Sequence, residues 1–74
     1  MGSGIPMLTA REVVGILQAL GFVLIRQKGS HQQFRHPDGR GTTVPLHSGD
    51  ISPILLKQIA KDIQVPLTEF LEHR

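Results

Sequence analysis

Cysteine is absent from this chain. That excludes a disulfide framework and a thiolate-bound zinc as staples for a small domain, and it is compatible with a cytoplasmic location. Long apolar runs are absent as well. The longest span only a few residues, whereas a membrane-crossing helix needs about 20. Net charge is low, with 8 Lys and Arg against 6 Asp and Glu giving +2. The length of 74 residues makes one domain with a thin core. Ordering the backbone costs roughly 1–2 kcal/mol per residue, so only a few kcal/mol of net stability is expected. The first residues, MGSG, lack the basic and apolar parts of a targeting segment. They read as an appended remnant at 1–4, leaving a single domain over 5–74.

The distribution of charge says more than its sum. Arg26, Lys28, Arg35 and Arg40 stand against Asp38 alone in the middle of the chain. Lys57, Lys61 and Arg74 are offset by Asp50, Asp62, Glu69 and Glu72. A basic excess of this kind can meet phosphates, or it can simply be a solvated surface.

Thr9 and Glu12 have the spacing of a capping box, and Val13, Ile16, Leu17 and Leu20 then recur at helical period until Gly21. This predicts a helix over 10–20. The apolar, β-branched run Phe22–Ile25 predicts a strand reaching Lys28, broken by Gly29-Ser30. A second strand covers His31–His36, followed by the Pro37-Asp38-Gly39 turn signal. A third covers Thr42–Leu46, and Pro45, with no N–H to donate, assigns it to a sheet edge. Ser52-Pro53 start a second helix carrying Ile54, Leu55, Ile59 and Ile63 on its apolar positions. Leu67–Glu72 forms a short last helix, capped by Thr68 or led in by Pro66. The fold class is therefore α+β, a helix, a three-stranded antiparallel meander, a helix and a short helix. Helices must cover one face of the sheet.

Strand alternation then sorts the side chains. Phe34 turns Gln32 and His36 to the helix side and His31, Gln33 and Arg35 to the other. Val44 and Leu46 as core residues leave Thr43, Pro45 and His47 on that same open face. An imidazole can move the proton of an RNA 2′-hydroxyl, and a guanidinium or ammonium with backbone N–H groups can stabilise the phosphate. His31 supplies the first kind of group. Arg35, Lys28 and the Gly29-Ser30 turn supply the second. Each residue also has a plain structural role open to it: His31 as a surface or capping residue, Arg35 as a cross-strand partner, Lys28-Gly29-Ser30 as a loop, His47 as a strand end and His36 as packing beside the turn. His73 is terminal and incidental. The four histidines show no recurrent ligand spacing and the carboxylates lie elsewhere, so no metal site and no cofactor are expected.

The stretch QKGSHQQFRHPDGRGTTVPLHSG, Gln27 to Gly49, resembles the signature region of the HicA family of toxins. The likeness extends over residues 7–72 through the flanking helices. It joins a Gly-Ser-His segment, a strand aromatic, a Pro-Asp-Gly turn and a Val-Pro-x-His element. It implies a fold similar to double-stranded-RNA-binding domains, a ribosome-independent endoribonuclease acting on messenger RNA, and a HicB-type antitoxin as protein partner. The family's catalytic histidine falls on His31. Its Gly and Ser fall on Gly29 and Ser30, its preceding basic residue on Lys28, its strand arginine on Arg35 and its later histidine on His47. Arg26 joins them as a further RNA-binding candidate. Where many members have a Gly-Thr or Gly-Leu pair at the start of the second long helix, this chain has Ile54-Leu55. The function expected is metal-independent RNA cleavage with His31 as acid/base and His47 as a candidate second group. The alternatives are a non-catalytic RNA-binding module of the same fold and a purely protein-binding partner.

Overall fold

Two reciprocal hydrogen bonds start the first helix as its sequence requires. The Thr9 N–H donates to Glu12 Oε1 at 2.8 Å, and the Glu12 N–H to Thr9 Oγ1 at 3.1 Å. The computed structural model describes residues 7–46 and 49–74. Its elements are β1 (Leu8–Thr9), α1 (Ala10–Ala19), β2 (Val23–Lys28), β3 (His31–Arg35), β4 (Gly41–Pro45), β5 (Asp50–Ile51), α2 (Pro53–Asp62) and α3 (Leu67–Glu72). Strands β2, β3 and β4 form an antiparallel meander in that order. The fold is α+β and of the double-stranded-RNA-binding type. A second, two-stranded pairing joins β1 to β5, with Leu8 opposite Ile51 and Thr9 opposite Asp50. Elements this short carry no period, so the sequence did not announce them.

The core gathers Val13, Ile16 and Leu17 of α1, Phe34 and Val44 of the meander, Leu56, Ile59 and Ile63 from α2 and its end, and Phe70 of α3. Both long helices pack against β4, so one face of the meander is covered mainly on that side. The apolar run that announced β2 divides accordingly. Phe22, just before the strand, is buried, whereas Val23, Leu24 and Ile25 are about half exposed, at 57%, 45% and 50%. Pro45 lies on an edge strand, as its missing N–H requires.

Helix α2 starts as expected, with Ser52 Oγ accepting from the Leu55 N–H at 3.2 Å and Pro53 in the first turn. Its buried face takes in Ile59 and Ile63 as expected, with Leu55 partly buried, but leaves out Ile54. Leu56, Ile59, Ala60 and Ile63 are buried, while Ile54 is 81% exposed. Two residues advance a helix by about 200°, so a face centred on Leu56 necessarily turns Ile54 outward. The chain leaves α2 through Gln64, whose φ is +59°. It enters α3 through Pro66, with no side-chain cap from Thr68. The hydroxyl of Thr42, the buried polar residue of β4, donates to Asp62 Oδ2 at 3.0 Å and so joins that strand to α2.

Arg40 is part of the basic excess in sequence, but its head is committed to the fold. Nε lies 2.8 Å from Asp38 Oδ2, Nη1 donates to the Ile63 carbonyl at 2.6 Å, and the guanidinium sits 5.2 Å from the Phe22 ring centroid. The Arg40 backbone N–H above all, and then its side chain, hold the Asp38 carboxyl below its ordinary value. Replacing Arg40 removes a cap from the C-terminal end of α2, a cation–π contact and packed methylenes together. Arg40→Ala should therefore lower unfolding free energy by about 1–3 kcal/mol in urea denaturation. Arg40→Lys should recover little, because an ammonium cannot reproduce the planar fork.

Candidate active site

The β2–β3 hairpin is closed by Gly29 and Ser30, with Lys28 directly opposite His31. Gly29 has φ +59°, which places a positive φ at the first central position of a two-residue turn, the pattern of type II′. Pairing then fixes the faces. His31 lies between Lys28 and Pro45, Gln33 between Arg26 and Thr43, and Arg35 between Val23 and Gly41. Gln32 and Phe34, on the opposite face, pair with Val44 and Thr42 and look toward the helices.

The register of β2 shifts between Leu24 and Arg26, so Ile25 is a bulge residue without a partner. Strict alternation from Leu24, which pairs with Phe34, would have put Arg26 and Lys28 on the helix side. The extra residue reverses the phase and brings both cations to the open face. A bulge in this strand leaves the alternation of β3 and β4 intact, so the expected faces of His31, Arg35 and Thr43 hold. Lys28, Arg26, His31 and Arg35 are all exposed.

Their spacing is uneven. Lys28 stands beside His31, where directly opposed residues have Cβ atoms about 4.5–5.5 Å apart. Arg26 is one paired position further along the same face. Arg35 is four residues from His31, about 13 Å along the strand, and therefore suits a neighbouring phosphate rather than the one at His31. A recess of about 460 Å³ lies toward that far end, lined by Ile25, Gln33, Arg35, Gly41 and Thr43 among others.

Ser30 is half-buried, and its carbonyl accepts from the Leu46 N–H, which ties the end of β4 to the hairpin turn. His47 lies outside the described residues. His36 packs edge-on against Phe22 at 5.1 Å between ring centroids, and its Nδ1 accepts from the Asp38 N–H at 3.1 Å, so it belongs to the helix side. His73 lines a separate recess with Glu12, Gly15 and Ile16. Among the described residues, no three of His, Cys, Asp and Glu come together as a metal-binding group. Sequence patterning overlooked the side-chain pair Gln27 and Gln32, which lies behind the turn. Its faint signal was two amides at opposed positions of one hairpin.

A family model described as the HicA toxin of bacterial toxin–antitoxin systems matches residues 10–65. The chain belongs to the HicA family. A comparison with curated proteins gives no match. The matched span runs from α1 through α2 and contains the whole meander, while β1 and α3 fall outside it. HicA membership makes the chain a toxin of a toxin–antitoxin pair, with an antitoxin as its partner. No helix among the described residues is long and apolar enough to cross a membrane.

Proposed function

We propose that this HicA toxin is a metal-independent endoribonuclease that cuts messenger RNA in the cytoplasm through His31 and is neutralised by a HicB-type antitoxin. The observation that carries this is the open face itself, on which His31 shares one side of the sheet with Lys28, Arg26 and Arg35. The His31 imidazole takes the proton of a 2′-hydroxyl. The freed oxygen attacks the adjacent phosphorus, the bond from phosphorus to the 5′-oxygen breaks, and a second acid returns a proton to that leaving oxygen. The products are a 2′,3′-cyclic phosphate and a 5′-hydroxyl. Lys28, with the Ser30 hydroxyl and the Gly29-Ser30 backbone, binds the reacting phosphate, and Arg26 and Arg35 bind its neighbours. His47 is the candidate second acid. An antitoxin laid over this face would mask the cations and His31 together.

The test is to incubate the purified chain with RNA in the presence of a chelator and identify the new ends. Cleavage with 5′-hydroxyl ends is expected. Products with 5′-phosphate ends, or cleavage only after a divalent metal is restored, would overturn the mechanism. The same basic face and fold also favour a second function, RNA binding without cleavage. In that case RNA stays intact while affinity falls with salt. Three cations on a single strand give a log–log slope of about −2.

A further inference from the structure

Gln27 and Gln32 face each other across the β2–β3 hairpin on the side turned away from His31. Gln27 Nε2 donates to the Gly29 carbonyl at 3.2 Å, and Gln32 Nε2 donates to Gln27 Oε1 at 3.0 Å. A carbonyl can only accept, so the amide nitrogen of Gln27 must face Gly29, and its oxygen is left to receive Gln32. The two amides thus form a directed chain that ends on one backbone oxygen.

A peptide unit is planar and trans, with its C=O and N–H pointing in opposite directions. The Gly29 carbonyl belongs to the same peptide as the Ser30 N–H. Holding that carbonyl on the Gln27 side directs the Ser30 N–H to the side of Lys28 and His31, and no backbone oxygen among the described residues accepts it. Glycine at the first central position gives this peptide unusual freedom to rotate, so an unclamped turn can swing the N–H away from the open face.

We infer that Gln27, held by Gln32, is a positioning residue that aims the Ser30 N–H at the phosphate undergoing attack. The inference rests on the proposed cleavage at His31. In this arrangement the backbone donor stabilises the charge that develops on a non-bridging oxygen, a contribution realised in the transition state more than in the bound RNA. Gln27 itself touches no substrate.

The experiment compares wild type, His31→Ala, Gln27→Met and Gln32→Met in steady-state cleavage of a short RNA under chelation, across neutral pH. Methionine matches glutamine in length and charge but donates no hydrogen bond. Gln27 is exposed, so the fold should persist, and thermal unfolding of each variant verifies this. For Gln27→Met, kcat should fall about tenfold or more, since removing such a donor outright costs about 10²–10³. KM should change less than about twofold, because the cations still hold the RNA. The pH profile should keep its shape and lose only height. Gln32→Met should show a smaller drop of the same kind. If wild type cuts RNA and His31→Ala does not, a Gln27→Met enzyme with unchanged kcat overturns this inference alone. A rise in KM matching the lost activity, or a loss that tracks a lowered unfolding temperature, overturns it as well. If wild type leaves RNA intact, the proposed cleavage falls and the positioning role falls with it.

Discussion

His31→Ala should lower the rate of RNA cleavage by at least about 100-fold, within the 10²–10⁴ range of a positioned acid or base, while fold and RNA affinity persist. The side chain is exposed at the start of β3, so its removal opens no cavity. Lys28, Arg26 and Arg35 remain on the same face to hold phosphates. Single-turnover cleavage alongside an RNA-binding titration separates the two contributions. His31→Gln, which keeps hydrogen-bonding capacity but cannot take up the 2′-hydroxyl proton, should be as inactive as the alanine variant. Cleavage near the wild-type rate in either would move the chemistry to another residue.

Phe34→Ala should cost about 3–5 kcal/mol of stability, the range for emptying a buried aromatic site. Phe34 is 2% exposed and lies on the same strand as His31, facing the opposite way into the core. Small domains have only about 5–15 kcal/mol in total, and a thin core sits at the low end. The variant should unfold at a sharply lower temperature or denaturant concentration. Its RNA cleavage should fall with the folded fraction and recover on cooling, which a loss at His31 would not do. Phe34→Leu should retain most of the stability, since it keeps much of the buried volume. A Phe34→Ala chain with wild-type unfolding would show that β3 is not anchored as described.

Much of this fold was legible because local chemistry announces it. Thr9 with Glu12 and Ser52 with Pro53 mark helix starts that the hydrogen bonds confirm. Pro37-Asp38-Gly39 marks a turn in which Gly39 has φ +102°. The alternation around Phe34 placed His31 and Arg35 on the open face. Other features depend on tertiary context and were not legible. Nothing in an unbroken apolar run says that Phe22 enters the core while the next three residues stay half exposed, because that is decided by where the helices stop. Ile54 looks like a core residue by composition, yet the face of α2 is chosen by contact with β4. Arg40 resembles its basic neighbours until the Ile63 carbonyl and the Phe22 ring come within reach of it.

The unpartnered Ile25 has a consequence for how this interface tolerates change. Its side chain adds no hydrogen bond and no charge to the open face, yet its being passed over in the pairing decides which face Arg26 and Lys28 occupy. The pairing register of this strand therefore constrains the toxin more tightly than the identity of its bulge residue does. Exchanges among apolar residues at Ile25 leave the electrostatics of the sheet as they are. If Ile25 instead took a partner in regular alternation, Gln27 would pass to the open face and the two cations to the helix side. The polarity of this face is thus set by a single skipped pairing, as a frame rather than as a group.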